Sequence, residues 1–440
     1  MKSSVRIGCG AGFSGDRLEA ALVLVQQGEL DYLVLECLAE RTIALAQKRK
    51  RQQATLGYDP LLERRIDSLL PHLLEKKVRL ITNMGAANPL AAAQKIMEIA
   101  GRLSLSVTVA AVTGDDVFSH LSGSETALET GKPLSDSGTL VSANAYLGTD
   151  AIVPALATGA DIIITGRVAD PSLFLAPLVH EFGWSLNDSD RLGQGTVVGH
   201  LLECAGQLTG GYFADPGRKN VPDLASLGHP FADVSADGAA IFGKVAGTGG
   251  LLTVATAKEQ LLYEVMDPSR YLTPDIIADF TQVRLEETGP NQVRATGGRG
   301  KPRPDTLKVS VGYEAGFIGE GEISYAGSNA LNRAKLAGDI IRERLHDQFT
   351  DLRIDYIGST SVHRTNFGHY PDPYEIRIRV AGRASTAQQA ALVGEEVEAL
   401  YTNGPAGGGG ARKYIHELVG IVSTLIDRDQ TTPQVTFFQS

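Results

Sequence analysis

The sequence predicts an α/β protein with a mainly parallel sheet and flanking helices, followed by a smaller C-terminal α+β domain. The first observation behind this prediction is that short apolar runs alternate with segments of helical length through the first part of the chain. The second is that these runs are continuous, as at residues 32–35, which is typical of parallel strands buried on both faces. The third is a change beyond Asp237 to β-rich segments, followed by helices and paired strands.

The first part of the chain predicts repeated βαβ units. It begins with a strand at residues 5–9, a glycine turn, a helix at 18–27 and a strand at 32–35. The alternation continues with helices at 63–75, 89–103, 152–158 and 172–181, and with strands at 79–82, 106–112 and 161–165. Helices of this length between strands build a parallel sheet. We therefore expect Rossmann-like layers, with residues 1–236 as the α/β core domain.

The rest of the chain has a different pattern. A strand at 308–313 and a helix at 329–345 precede strands at 352–358 and 374–380 and a helix at 386–401. Residues 289–304 are rich in Gly, Pro and Arg, which predicts a surface loop. We expect a mixed, β-rich extension at 237–334 and a small α+β sandwich at 335–440. The polar residues His363, Arg364, Asn366 and His369 are compatible with either a site or a surface turn.

Composition excludes several classes of protein. The formal net charge is −10, whereas nucleic acids and anionic membranes need a basic surface, so neither is an expected partner. Three widely spaced cysteines do not form a disulfide framework, and no zinc motif occurs, so no metal site is predicted. The N-terminus is not a signal peptide, and no apolar run reaches about 18 residues. We expect a cytoplasmic homo-oligomer that acts on an anionic small molecule.

A glycine turn follows the first strand. Gly10, Gly12 and Gly15 match the pattern G-x-G-x-x-G between a strand and a helix, and Glu36 closes the next strand. This context is that of a dinucleotide fingerprint, in which a phosphate approaches the helix N-terminus, so NAD(P) is a candidate cofactor. The alternative is a tight turn without a ligand.

Two charged residues follow that turn. Asp16 would compete with a bound phosphate at the start of the helix, which weakens the dinucleotide hypothesis. Asp16 and Arg17 are instead candidates for working side chains at the carboxyl edge of the sheet, where open α/β sheets place their sites.

Polar turns also follow three other predicted strands. Asn83 lies after the strand at 79–82, and Arg167 and Asp170 follow the strand at 161–165. Asp115 and Asp116 follow the strand at 106–112 and would bind a divalent cation, share a proton or form a solvated turn. These turns would converge at one edge of a parallel sheet. The alternative is that their Asn and Asp residues only cap turns and helices.

The segment 199–216 carries the densest set of functional groups. His200, Glu203 and Gln207 have the spacing of one helix face, and Tyr212 follows a glycine pair. His and Glu one turn apart are suitable partners for general acid–base catalysis. Cys204 is better explained as a small buried residue than as a nucleophile, and His200 fits a core or capping role equally well.

A second glycine turn, with Gly247, Gly249 and Gly250 next to Lys244, has the composition of an anion nest. The alternative is a loop without a ligand. A similar glycine run at 404–410 is followed by two cations, and neither turn has the spacing of a P-loop.

Taken together, these motifs resemble the acyclic terpene utilisation family AtuA. The resemblance is carried by the segments 8–17, 82–89, 164–171, 199–216 and 247–250 and covers most of the chain. The C-terminal region resembles the ferredoxin-like segment that is often joined to the family core. The resemblance implies a role in the catabolism of branched or terpenoid acids and an acyl-CoA or carboxylate ligand.

The leading hypothesis is a lyase, hydratase or isomerase that acts next to a carbonyl, which needs an acid–base pair and donors for a developing oxyanion. The acid–base candidates are Asp16, His200 and Glu203. The candidates for binding the substrate are Arg17, Asn83, Arg167, Asp170, Gln207 and Tyr212. The glycines of both turns would bind the phosphates of a coenzyme A thioester, and no covalently bound cofactor is expected. The alternatives are an NAD(P)-dependent oxidoreductase and a non-enzymatic accessory subunit of an acyl-CoA pathway enzyme.

Overall fold

The computed structural model describes residues 2–349, 351–363 and 372–440. Arg364, Asn366 and His369 of the polar C-terminal stretch lie outside the described residues. The chain forms two compact units, one of residues 1–312 and 421–440 and one of residues 313–420. The division therefore falls at 312/313 and 420/421, whereas the sequence pattern placed boundaries near 237 and 335.

The strands are, in chain order, β1 (Ser4–Ala11), β2 (Tyr32–Leu35), β3 (Arg79–Thr82), β4 (Thr108–Thr113), β5 (Leu140–Ala145), β6 (Ile162–Thr165), β7 (Pro230–Ser235), β8 (Ala240–Lys244), β9 (Tyr271–Leu272), β10 (Ile277–Asp279), β11 (Arg284–Gly289), β12 (Gln292–Thr296), β13 (Arg299–Lys301), β14 (Thr306–Ala326), β15 (Leu352–Ile357), β16 (Glu375–Ala384), β17 (Gly409–Asp427) and β18 (Gln434–Gln439).

The α-helices are α1 (Leu18–Gln27), α2 (Glu40–Gln52), α3 (Leu62–Lys76), α4 (Pro89–Arg102), α5 (Thr149–Ala157), α6 (Ser172–Phe182), α7 (Ser189–Leu202), α8 (Val254–Leu262), α9 (Ala330–Leu345) and α10 (Ala387–Asn403). No helix in the described part of the chain is long and apolar enough to cross a bilayer.

The first unit is built on a ten-stranded sheet of order β11-β12-β8-β7-β1-β2-β3-β6-β4-β18. Its five central strands, from β1 to β4 in that order, are parallel and almost completely buried. Helices α1, α3 and α4 pack on this parallel core through an apolar cluster that includes Leu24, Leu69 and Ile96. The parallel core with flanking helices is thus as predicted.

The sheet as a whole is mixed, so the prediction of a mainly parallel sheet needs correction. Four antiparallel strands extend it beyond β1, because β7 and β8 form a hairpin that pairs with β1 on one side and β12 on the other. On the opposite edge β18 pairs antiparallel with β4. Neither pairing has a local sequence signal, because each joins segments that lie far apart in the chain.

The second unit is an antiparallel sheet of order β15-β16-β14-β17 with two helices. Helices α9 and α10 cover one face through a buried cluster that includes Ile323, Ile341, Ile378 and Val393. The predicted α+β character of the C-terminal region is confirmed at this level.

Two local predictions were wrong. Residues 289–304 contain β12 and β13 instead of a continuous surface loop, since Val293 and Ala295 face the core as an alternating strand. The helix expected to carry His200 and Gln207 on one face ends at Leu202, and a 3-10 turn follows at Ala205–Gln207.

Candidate functional site

The carboxyl ends of the parallel strands carry the polar residues that form the candidate site. Glu36 follows β2 and Asn83 follows β3, with no residue between strand and side chain. Asp115 and Arg167 each lie two residues beyond β4 and β6. Because these strands run in one direction, their ends meet at one edge, where open α/β sheets bind ligands.

Asn83 is fully buried and joins two strand ends. Its Oδ1 atom accepts the amide hydrogen of Cys37 at 2.7 Å, and its Nδ2 atom donates to Oε1 of Glu36 at 2.8 Å. The amide of Leu38 donates to the same Glu36 oxygen at 2.9 Å. Burial raises the pKa of Glu36 well above its ordinary value, and the charge of Asp170 raises it further. Glu36 therefore holds a proton more tightly than an exposed glutamate does.

Arg167 is almost completely enclosed and uses its donors within the protein. Its Nε atom donates to the carbonyl of Val168 at 2.8 Å, and its terminal nitrogens donate to the carbonyl of Leu38 and to Oδ1 of Asp170. The guanidinium carbon lies 4.5 Å from the centroid of the Tyr146 ring, in a cation–π arrangement. Arg167 thus fixes the loops after β2 and β6 against each other.

Asp115 lies beneath the loop of Arg167. Its Oδ2 atom accepts the amide hydrogen of Arg167 and a hydrogen of Asn144 Nδ2, both at 2.9 Å. The absence of a side chain at Gly166 makes room for this carboxylate, since a Cβ there would lie 2.4 Å from Oδ1. Burial raises the pKa of Asp115 to about 6.

Among the residues that the structure describes, Asp115 and Asp116 are not part of a cluster with enough acidic, His or Cys side chains to hold a metal ion. Asp116 accepts a hydrogen bond from Gln47 at 3.0 Å, so its carboxylate points to a different partner. Within residues 2–349, 351–363 and 372–440 there is no group of three or more His, Cys, Asp or Glu side chains that could hold a metal ion.

His200 and Glu203 form a buried pair at the end of α7. The His200 Nδ1 atom lies 2.7 Å from Oε1 of Glu203, and Nε2 lies 3.2 Å from the carbonyl oxygen of Leu261. The imidazole ring packs against Phe280 and Tyr271, at centroid distances of 5.4 and 5.1 Å. The hydrogen bonds and the two aromatic rings therefore fix the orientation of the His200 imidazole.

These contacts determine how many protons the pair carries. A carbonyl oxygen only accepts, so the Leu261 contact requires a hydrogen on Nε2 of His200. The short contact between Nδ1 and Glu203 then contains one proton, which is bonded either to the imidazole or to the carboxyl group. Burial raises the pKa of Glu203 to about 7, although His200 opposes this shift. The other oxygen, Oε2, is buried and has no hydrogen-bond partner.

Asp170 connects the strand-end residues with this pair. It is bonded to Arg167, its side chain is 39% exposed, and its charge raises the pKa of both Glu36 and Glu203. Burial thus raises the pKa of both Glu36 and Glu203, and also that of the partly exposed Asp170 between them. Such perturbed groups are typical of catalytic sites.

The first glycine turn packs against this cluster. A Cβ at Gly12 would lie 2.6 Å from the carbonyl carbon of Cys204 and 2.8 Å from the carbonyl oxygen of Glu203. A Cβ at Gly10 would meet Leu35 and Ala21, and one at Gly15 would meet the ring of Phe13. The glycines at 10 and 12 are thus required for close packing.

The carboxylate of Asp16 is bonded to the backbone amide of Gly12, which a phosphate would need in this turn. Its Oδ2 atom accepts the amide hydrogen of Gly12 at 2.7 Å. Arg17 is exposed and donates to the carbonyls of Leu224 and Ala225 at 3.1 and 2.8 Å, away from the His200 pair.

The remaining predicted residues surround the cluster less closely. Tyr212 is 89% exposed and meets the ring of Tyr263 at 6.5 Å, and Gln207 is half-buried on the 3-10 turn. In the second glycine turn, the amides of Gly249 and Gly250 donate to backbone carbonyls, as does that of Thr248. The amides that would form an anion nest are thus already used, although Gly247 has open space around it.

The structure brings together Asn83, Arg167, Asp170, His200 and Glu203, whereas the described hydrogen bonds of Arg17 go to Leu224 and Ala225 and Tyr212 is exposed. Sequence reasoning missed Glu36 as a proton carrier, because it treated this residue only as part of the dinucleotide fingerprint. The signal that could have found it is its position directly after β2, the same position that Asn83 holds after β3. It also missed Gln260, whose Nε2 donates to the His200 carbonyl at 2.9 Å.

Comparison with known proteins gives one result. A family model described as "Acyclic terpene utilisation family protein AtuA" matches residues 5–437. No curated protein and no solved structure matches the chain. Because the family model spans nearly all of the sequence, the chain belongs to the acyclic terpene utilisation family AtuA.

Proposed function

We propose that the protein is an enzyme of branched-chain or terpenoid acid catabolism that moves a proton next to the carbonyl of an acyl-CoA or carboxylate. Family membership implies a role in acyclic terpene utilisation. The step itself, a lyase, hydratase or isomerase reaction, is inferred from the chemistry of the buried cluster.

The observation that carries the proposal is the 2.7 Å contact between His200 Nδ1 and Glu203 Oε1, beside a Glu203 oxygen that has no hydrogen-bond partner. A base works best when its pKa lies near the working pH, and burial raises that of Glu203 to about 7. A carboxylate buried only for stability would have both oxygens satisfied. Oε2 is thus available to take a proton from carbon.

The other residues supply what such a step needs. His200 donates from Nδ1 to Oε1 of Glu203 when the carboxylate forms, and its bond to Leu261 fixes the ring. Glu36, whose pKa is raised by burial, is a second candidate proton carrier in the same cluster. Hydration, elimination and isomerisation all need one group that accepts a proton and another that donates it.

The nicotinamide hypothesis has less support from the geometry. The Gly12 amide is bonded to Asp16, and Glu36, the acidic residue of the fingerprint pattern, is buried and bonded to Asn83. No specific observation in the described residues favours a non-enzymatic accessory subunit. Such a subunit would not need the buried His200–Glu203 pair.

Hydrogen exchange tests the proposal without knowledge of the natural substrate. The purified protein is incubated in D2O with saturated and unsaturated branched acids and their coenzyme A thioesters, and deuterium in each compound is measured by mass spectrometry. We expect uptake at the carbon next to the carbonyl, reduced by roughly 10²–10⁴-fold in Glu203→Gln.

Glu259→Gln is the matched control, because Glu259 is a half-exposed carboxylate that pairs with Lys219. It should exchange like the wild type, and all three proteins should have similar melting temperatures. Equal exchange in Glu203→Gln and the wild type would remove Glu203 from the mechanism, and no exchange with any compound would argue against the reaction class.

A further inference from the structure

Arg65, on α3, is a buried cation whose donors are only partly used. The residue is 2% exposed, and its Nη2 atom donates to the carbonyl oxygens of Ser14 and Asp16 at 2.9 and 2.8 Å. Its Nε and Nη1 atoms are buried and have no hydrogen-bond partner. Nη2 therefore holds the turn before α1, while Nε and Nη1 remain as unused donors.

No carboxylate compensates this charge. In the parts of the chain that the structure describes, no Asp or Glu oxygen forms an ion pair with Arg65, and Asp16 directs its carboxylate to the Gly12 amide instead. The equally buried Arg167 is bonded to Asp170 and to two carbonyls. Buried charges are normally paired, and buried donors are normally bonded, because leaving either alone is costly.

The surroundings of Arg65 are those of an anion site. The guanidinium lies against the turn that leads into α1, a ten-residue helix whose N-cap residue, Arg17, makes no capping hydrogen bond with its side chain. The first amides of a helix have no partner within the helix and carry partial positive charge. The guanidinium of Arg65 and the N-terminus of α1, which has no side-chain cap, thus adjoin the same turn.

We propose that Arg65 and the N-terminus of α1 form a binding site for a small oxyanion, a carboxylate or phosphate group, which supplies the counter-ion that the protein itself lacks. Because Nε and Nη1 are shielded from solvent, binding of the anion requires a local rearrangement around the guanidinium. This site is separate from the His200–Glu203 pair, and its existence does not depend on the proposed reaction.

The site nevertheless adjoins the pair. Gly12, at the start of the same turn, touches the backbone of Glu203 and Cys204. The site at Arg65 is also distinct from the anion-binding sites predicted at Arg17 and Arg167, because these two arginines donate to carbonyl groups of the protein.

Binding of simple anions tests the inference. Inorganic phosphate and butyrate are titrated separately into the full-length protein, and binding is followed by calorimetry and by the melting temperature. We expect saturable binding of at least one of them, weakened more than tenfold in Arg65→Met. Arg64→Met is the matched control, because Arg64 is the exposed neighbour of Arg65 on α3, and it should bind like the wild type.

Binding of phosphate alone would assign the site to a phosphate group, and binding of butyrate alone to a carboxylate. Saturable binding that persists in Arg65→Met would overturn the proposal, as would no binding of either anion to the wild type. If Arg65→Met does not fold, crystals of the wild type soaked with selenate decide the question. Anomalous density within hydrogen-bond distance of Nε or Nη1 is expected, and none there at saturating selenate contradicts the site.

Discussion

Gly12 lies directly against the backbone of Glu203, so the first βα turn and the end of α7 are in contact. A Cβ at Gly12 would come within 2.8 Å of the Glu203 carbonyl oxygen and 2.6 Å of the Cys204 carbonyl carbon. Both are backbone atoms, which cannot rotate away as a side chain can. The position of the catalytic candidate Glu203 therefore depends on a glycine far away in the sequence.

Gly12→Ala should lower both stability and activity. Overpacking of this kind typically costs about 1–3 kcal/mol, and here the displaced backbone atoms belong to Cys204 and to Glu203, the residue that carries Oε2. Gly15→Ala is the matched control, because its Cβ would meet only the ring of Phe13, which is 60% exposed and free to move. Urea denaturation and the exchange assay measure the two effects. If both variants behave alike, the packing role of Gly12 is wrong.

The exchange rate should depend on pH near neutrality. Burial raises the pKa of Glu203 to about 7, so the carboxylate that accepts a proton is lost as the pH falls below that value. We expect the rate to fall about tenfold per pH unit on the acid side of pH 7. A measurement from pH 5.5 to 8.5 tests this, and a limb near the ordinary value for a glutamate would contradict it.

Glu264→Gln should shift that acid limb to lower pH. Glu264 is exposed, and its negative charge contributes to the raised pKa of Glu203. Removing the charge makes ionisation of Glu203 easier, whereas the maximum rate should stay the same. A limb that moves to higher pH would show that Glu203 does not set it.

Asp115→Asn should remove part of the pH dependence of stability. The folded-state pKa of Asp115 is about 6, above the usual value near 4, so the folded state binds a proton more tightly than the unfolded state. The stability that this group contributes is complete below about pH 4 and is lost as the pH rises through 6. The loss amounts to about 3 kcal/mol for a shift of two pKa units.

Asparagine keeps the acceptor oxygen for Arg167 and Asn144 while removing the ionisation. Urea denaturation at several pH values should therefore show that the variant gains stability over the wild type between pH 4 and 7. A constant difference across this range would mean that Asp115 does not titrate as described.

Asn83→Ala should destabilise the fold by about 2–4 kcal/mol. It leaves the buried Cys37 amide without an acceptor and removes one donor from Glu36, and each orphaned buried group costs about 1–3 kcal/mol. Asn187→Ala, at an exposed position, should change the free energy of unfolding by less than about 0.5 kcal/mol. Similar losses in both variants would contradict the bridging role of Asn83.

The local elements of the α/β core could largely be predicted from the sequence. The bounds of α1, β2 and β3 agree with the structure, because a continuous apolar run or a helical period identifies each of them. Helix α2 was not predicted, since its sequence is dominated by charged residues and only Ile43 and a few small or polar side chains face the core.

The candidate site could be predicted only in part. Asn83 and Arg167 were identified because polar residues after strands converge on one sheet edge. Glu203 was identified because it lies one helical turn from His200. Arg65 was not, because an arginine in a charged helical segment gives no sign that it is buried. The anion-binding role predicted for Arg167 is not supported, because its donors are bonded to the carbonyl groups of Val168 and Leu38. The position of these carbonyl groups cannot be inferred from the sequence.

The sequence by itself determined the alternation of strands and helices, the parallel core and the placement of polar residues at the strand ends. These features depend on hydrophobic periodicity, which is local. Only the tertiary structure decided that β18 returns to pair with β4, that Gly12 supports Glu203, and which buried donors and acceptors remain free. Those outcomes depend on contacts between residues distant in the chain, for which a single sequence contains no periodic signal.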